Sequence, residues 1–171
     1  SALKVEAPRV VGGALVHDER VIHVCAFRVE PSTAAGGGQA ASYASGAYTQ
    51  LRRQFNLPVA KFEGVGEALT RIAGYSYIMN SAVSVTSGAI DQGEKPAVPS
   101  AILKYHCTEL GRKVSNDAMD VHGGKGICLG PNNYLGRGFI AAPIAITVEG
   151  ANILTNALVG ATLARLDNEV E

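Results

Sequence analysis

Glu149 stands between an apolar run, Pro143 to Val148, and Gly150. A carboxylate preceded by Ile144, Ala145, Ile146 and Val148 can face a dry cavity, where lost hydration raises its pKa and suits it to proton abstraction. It can equally be an acid at the start of a helix, where the helix dipole stabilises the anion. Arg52-Arg53-Gln54-Phe55 offers a second chemistry. Guanidinium groups beside an aromatic ring suit a pyrophosphate and a flat heterocycle, whereas cations closing a helix need only its dipole. A third group is Gly123-Gly124-Lys125-Gly126. Glycines let backbone N–H groups approach an anion, but this run lacks the remaining P-loop residues and follows a helix instead of a strand, which excludes a nucleotide hydrolase. A helix C-cap is the weightier reading of the two glycines. His106, Cys107 and Glu109 share a helix but point in different directions, so they read as structural. His23 and Cys25 could share a strand face as metal ligands, yet no third or fourth ligand accompanies them, and no metal site is expected.

The elements that must position these residues follow from periodicity. Residues 10–29 are rich in β-branched side chains around His17-Asp18-Glu19-Arg20, which suggests a β hairpin with Val21, His23, Cys25 and Phe27 on one strand face. Pro31 should break that pattern, and Ser32 or Thr33 should cap a helix. Over 33–54, Ala40, Ala44, Ala47, Leu51 and Phe55 recur at helical steps, ending in the Arg52–Phe55 group. Gly36, Gly37 and Gly38 weaken those first turns by roughly 1 kcal/mol each, so close packing must support them. A second helix is expected over 62–91 through Leu69, Ile72, Ser76, Met79 and Val83. A third is expected over 97–122 through Ile102, His106, Leu110, Val114, Ala118 and Val121. Residues 123–148 read as an irregular connection with one short helix after Pro131, and a loop of that length is usually functional. A fourth helix should run from Gly150 to about Leu166. The fold class is therefore mainly α: an antiparallel helical bundle with a short N-terminal hairpin-like segment.

Composition narrows the function classes. In 171 residues, fifteen basic and fifteen acidic side chains cancel, which argues against nucleic acid as a partner. Three cysteines without a CxxC argue against a disulfide framework or zinc ribbon, and fit a reducing compartment. No apolar run reaches the length of a membrane span and no signal pattern opens the chain, so a cytoplasmic location is expected. Peripheral contact with a membrane is left open.

The segments AYTQLRRQF (47–55), EKPAVPSAILKYHCTELGRKVSNDAMDVHGGKG (94–126), GPNNYLGRGF (130–139) and APIAITVEGANILT (142–155) resemble the C-terminal helical domain of acyl-CoA dehydrogenases. The match is closest to the large bacterial enzymes of fatty-acid β-oxidation and spans roughly residues 31–160. It divides the chain into a poorly matched segment, 1–30, and a helical domain, 31–171. The resemblance implies FAD as cofactor and a fatty acyl-CoA thioester as substrate. It also implies an electron-transfer flavoprotein as acceptor, and a homodimer or higher homo-oligomer. Glu149 then occupies the place of the base that removes the α-proton, while the β-hydrogen leaves as hydride to the flavin. Gly150 lets the chain pass close to substrate and flavin. Arg52, Gln54 and Phe55 match positions that contact the FAD pyrophosphate and adenine side, commonly from the neighbouring subunit. Gly123 and Gly124 match a loop against the adenosine, which shifts the balance away from a plain C-cap.

Three positions depart from the family pattern. Asp120, at a cofactor-binding position, stands where many relatives have Gln, and Ala151 and Ile153 replace polar residues near FAD. Full members have an N-terminal helical domain and a middle β domain as well, so the resemblance implies a C-terminal piece or truncated paralogue with its cofactor cradle incomplete. The competing expectation is a non-catalytic helical module that keeps the family's dimer surface.

Overall fold

The computed structural model describes residues 9–11, 14–16, 19–148, 150–157 and 160, with side chains from residue 29 onward. Strands β1 (Arg9–Val11) and β2 (Ala14–Val16) pair antiparallel, Arg9 opposite Val16. Helix α1 (Glu19–Leu51) follows, then β3 (Arg53–Gln54), β4 (Leu57–Pro58) and a 3-10 turn at Val59–Lys61. Helices α2 (Glu63–Asp91), α3 (Ala97–His122), α4 (Gly124–Ile127) and α5 (Gly136–Thr147) complete the named elements. Residues 152–157 are again helical. The fold is the mainly helical bundle with a small hairpin that the sequence suggests.

The hairpin is shifted toward the N-terminus, and residues 21–27 are helix instead of strand. Alternation of β-branched residues is a weak local preference, and 33 residues of helix packed against α2 and α3 override it. His23 and Cys25 therefore lie in α1 and not on a strand. Pro31 sits inside α1 and does not interrupt it. Its ring is wholly buried, so packing offsets the lost i→i−4 bond. Ser32 and Thr33 consequently cap nothing, and the Thr33 hydroxyl donates to the Val29 carbonyl at 2.8 Å.

Helices α1, α2 and α3 each pack on the other two. Their core comprises Ala35, Ala41, Ile72, Met79, Leu103, Cys107, Val114 and Ala118. On α1 the inward stripe is Pro31, Ala35, Gly38, Ala41, Ser45 and Thr49, one position round from the expected row, while Ala40, Ala47, Leu51 and Phe55 are exposed. The α2 row is as expected at Ile72, Ser76 and Met79, where the Ser76 hydroxyl donates to the Ile72 carbonyl at 2.6 Å. On α3 the buried face runs through Ser100, Leu103, Lys104, Cys107, Thr108, Val114, Ala118 and His122, and His106 is exposed. Arg71 of α2 forks onto Asp117 of α3 at 3.0 and 2.7 Å and meets Glu67 at 2.9 Å, which holds its guanidinium still more firmly charged.

The region 123–148 is more regular than expected, because α5 supplies twelve helical residues. Asn133 organises its entry: its Oδ1 accepts from the Leu135 and Gly136 amides at 2.9 and 2.7 Å. Its Nδ2 donates to the carbonyls of Gly126 and Cys128 at 2.7 and 3.1 Å. Among the described residues no helix is long and apolar enough to cross a membrane, and no group of three His, Cys, Asp or Glu side chains could hold a metal.

The three successive glycines of α1, at 36–38, are not equivalent. A Cβ at Gly38 would lie 2.7 Å from Met79 Cε and 2.9 Å from Ser76 Oγ, whereas one at Gly36 or Gly37 meets nothing within 4 Å. Gly36→Ala should therefore raise stability by about 0.5–1 kcal/mol through helix propensity and reduced unfolded-state entropy. Gly38→Val should lower it by about 1–3 kcal/mol through overpacking, both read from denaturant unfolding midpoints.

Candidate functional site

Arg52 closes α1, its amide donating to the Tyr48 carbonyl at 2.8 Å, and the rest of the Arg52–Phe55 group lies beyond the helix. The helix stops at Leu51, and the next residues form a two-stranded turn in which Arg53 pairs with Pro58 and Gln54 with Leu57. Phe55 and Asn56 occupy the turn with φ of 50° and 64°. Two successive left-handed residues match the right-handed twist of short antiparallel strands, and Pro58 closes the pair where no amide is needed. Asn tolerates that backbone, but for a phenylalanine it is strained. The ring is 87% exposed, and its centroid lies 6.2 Å from that of Phe62 in an edge-on arrangement. Arg53 Nη2 donates to the Asn56 carbonyl at 2.9 Å and ties the turn together. Arg52 is exposed and makes no ion pair among the described residues. Arg52 at the end of α1 still complements the helix dipole, while the turn beyond it presents a guanidinium, an amide and a ring.

One turn earlier, Tyr48 stacks on His122 with centroids 4.3 Å apart and planes at 20°. This contact brings the C-terminal ends of α1 and α3 together, so Arg52, Gln54 and Phe55 share an end of the bundle with Gly123 and Gly124. His122 is buried. Its Nδ1 lies 2.8 Å from the Ala118 carbonyl, which can only accept, so Nδ1 carries the proton. Nε2 of the neutral ring then accepts from the Tyr134 hydroxyl at 2.9 Å. Loss of hydration pushes the His122 pKa down, partly countered by the Ala118 bond. Gly123 caps α3 with φ +53°, its amide donating to Met119 O at 2.8 Å, so the cap reading holds for this residue. Gly124 opens α4, exposed and with empty space where a Cβ would stand. Asp120 projects from the last turn of α3 into solvent.

Glu149 lies outside the described residues; Gly150 does not. Gly150 has φ +98°, a conformation that favours glycine, and its carbonyl accepts from Lys104 Nζ at 2.7 Å and from the Thr155 hydroxyl at 3.1 Å. Lys104 is wholly buried on α3 and donates also to Asn152 Oδ1 at 2.8 Å. The Asn152 amide nitrogen in turn donates to Thr108 Oγ1 and Glu109 Oε1, each at 2.9 Å. Glu109 is also 3.6 Å from Arg112. Sequence reasoning missed Lys104 and Asn152. The signal was a lysine beside Leu103 in an otherwise buried helix row, which demands polar partners.

The two clusters do not meet in one chain. Lys104 and His122 are eighteen residues apart on α3, about 27 Å at helical rise. Between them, α1, α3 and α5 enclose a groove of about 540 Å³ whose walls include Gly37, Ala41, Gly111, Ala118, Phe139 and Ala142. The donor set at the His122 end fits a dinucleotide such as FAD: a guanidinium and an amide for pyrophosphate, an exposed ring for a flat heterocycle, and backbone left open at Gly124.

The family profile described as acyl-CoA dehydrogenase, C-terminal domain, matches residues 27–164. The chain belongs to the acyl-CoA dehydrogenase family. It is 33% identical over 96 residues to the 3-(aryl)acrylate reductase of Clostridium sporogenes, covering 54% of this chain and 25% of that protein. It is 32% identical over 81 residues to the mitochondrial very long-chain specific acyl-CoA dehydrogenase of Mus musculus, covering 47% of this chain and 12% of that protein. The FAD complex of PigA superposes with a TM-score of 0.76 at 18% identity, covering 90% of this chain and 39% of that one. This last likeness shows the shared fold. The chain thus spans a quarter or less of the curated dehydrogenase-family relatives it matches.

The buried His122 generates a pH prediction. Its folded pKa is depressed below the ordinary value of about 6.5, so the unfolded chain binds the proton more readily and stability falls as pH drops below that value. The melting temperature should decline from pH 7 to pH 5, and His122→Gln, which keeps an acceptor for Tyr134, should shrink that decline.

Proposed function

We propose that this chain supplies the C-terminal part of an FAD-dependent acyl-CoA dehydrogenase that introduces an α,β double bond into fatty acyl-CoA thioesters. The other domains would come from a longer polypeptide or a second one. The observation that carries the reading is the meeting of Arg52, Gln54 and the strained, exposed Phe55 with Gly123 and Gly124 at one end of the bundle. Such a corner presents what a dinucleotide needs, and the strained, exposed Phe55 is the member of it that no cap or helix end accounts for. FAD, when bound, supplies the two-electron acceptor for the β-hydrogen leaving as hydride. Arg52 and Gln54 would hold its pyrophosphate region, Phe55 its adenine side, and Gly123 and Gly124 its adenosine. Asp120 sits beside that set and offers a carboxylate where an amide would donate. Glu149 would take the α-proton of the thioester, and Gly150 would let the chain approach the substrate.

Other parts of the reading rest on the family alone: fatty-acid β-oxidation, electron-transfer flavoprotein as acceptor, and a homodimer or higher homo-oligomer; a cytoplasmic setting rests on the cysteine usage. The two curated relatives carry names for an aryl acrylate and for a very long acyl chain. The substrate class is therefore set by the acyl-CoA assay itself. A non-catalytic, partner-binding module is favoured by the exposed apolar side chains Ile140, Ile144, Ile153 and Leu154, which a partner would cover.

One experiment separates the two. The assembled enzyme should be yellow, and a fatty acyl-CoA should bleach its flavin band in a single anaerobic turnover. Glu149→Gln should retain FAD yet lose bleaching by at least about 10³-fold, the scale of a lost general base. A colourless protein that takes up no added FAD would leave the partner-binding module as the better reading.

A further inference from the structure

The geometry points to Lys104 as the positioning residue of the proposed base, an inference that rests on the dehydrogenase reading above. A lysine with no exposed surface must satisfy its ammonium inside the protein, and any nearby carbonyls of α3 could serve that purpose. Lys104 instead reaches across to the segment that follows Glu149. Two of its acceptors, Gly150 O at 2.7 Å and Asn152 Oδ1 at 2.8 Å, bracket the turn at φ +98° that leads into the helical stretch 152–157.

The clasp is tied from both sides. Asn152 is held by Thr108 and Glu109, so its amide cannot rotate away from Lys104 without losing two further bonds. The Thr155 hydroxyl shares the Gly150 carbonyl at 3.1 Å. On the other side of Glu149, the Val148 amide donates to the Ile144 carbonyl at 3.0 Å and ends α5. Both chain neighbours of Glu149 are therefore fixed to helices. Consecutive Cα atoms are about 3.8 Å apart, so a shift at Gly150 passes almost undiminished to the residue before it. A displacement of about 1 Å at a reacting group is enough to cost ~100-fold in rate. Lys104 thus sets where the base can stand, without touching substrate.

The test is Lys104→Met, which keeps the length and apolar stem and removes the donors. In the FAD-loaded enzyme, single-turnover flavin reduction by acyl-CoA should slow about 100-fold while acyl-CoA affinity changes less than about 3-fold. Amide hydrogen exchange should accelerate over 150–157 and stay unchanged over α1 and α2. Faster exchange with reduction at the wild-type rate would reduce Lys104 to a structural role and overturn the inference. Undiminished reduction in Glu149→Gln would instead overturn the base assignment on which it rests. If Lys104→Met does not fold, Asn152→Ala carries the test, since it frees one arm of the clasp and leaves the Lys104 bond to Gly150. It should slow reduction about 10-fold at unchanged affinity, and an unchanged rate would overturn the inference.

Discussion

A lysine ammonium removed from water is costly until hydrogen-bond acceptors surround it, and this cost organises the C-terminal half of the structure. Lys104 meets it in part with a backbone carbonyl and a side-chain amide from the segment 150–152, so the final helical stretch cannot drift from α3 without taking two acceptors from a buried charge. The acceptors need their own support, and they have it: Asn152 uses its amide hydrogens on Thr108 and Glu109, and Thr108 returns its hydroxyl proton to the Lys104 carbonyl at 2.8 Å. Three side chains of one α3 face therefore act as a unit on one turn. Such networks specify a geometry more than they add stability, because partial satisfaction is worse than an apolar alternative.

The frame that carries this clasp is built by close approach. Ala34 on α1 lies so near α3 that a Cβ on Gly111 would sit 3.3 Å from its own, and Gly38 admits Met79 and Ser76 of α2 at still shorter range. Small residues let the backbones close on one another, and the Arg71–Asp117 fork fixes α2 against α3. With three helices so constrained, α3 behaves as a rule of fixed length. Lys104 marks one end of it and His122 the other.

Much of this frame is legible in the sequence. The second and third helices read as 62–91 and 97–122 and span Glu63–Asp91 and Ala97–His122, because long apolar periods bounded by Gly and Pro are strong local signals. The N-terminal half of α1 is not legible. Its β-branched residues and Pro31 argue locally for strand and break, and a long helix packed on α2 and α3, with Pro31 buried, reverses them. The stripe on α1 reads one position out of register for a related reason: when Ala, Gly, Ser and Thr line the core, size no longer distinguishes inside from outside. At the site, the glycines and the Arg52–Phe55 group stand out by type, but the turn that displays them does not, since it places a phenylalanine at positive φ. Lys104 and Asn152 were missed because most of their meaning lies in each other, forty-eight residues apart in the chain.

The separation of the two ends has a consequence for how the proposed parts cooperate. Proton transfer requires contact at about 3 Å, so nothing at the His122 end can take part in chemistry at the residue before Gly150 in the same copy. The proposed dinucleotide corner and the proposed base would then serve one reaction in two ways: through a ligand long enough to reach along α3, or through corners contributed by different copies. A two-fold pair provides the second arrangement without further design, because an isologous interface that brings one copy's corner toward the other's base does the same in reverse and creates two equal sites. The turn is shaped for such a role. Leu51, Phe55 and Leu57 stand exposed around it, apolar side chains beside a guanidinium, which is the mixture a covered polar contact requires. A backbone held at positive φ beneath Phe55 keeps that ring directed outward whether or not a partner is present, so the cost of ordering it is met when the chain folds and is not charged again on assembly.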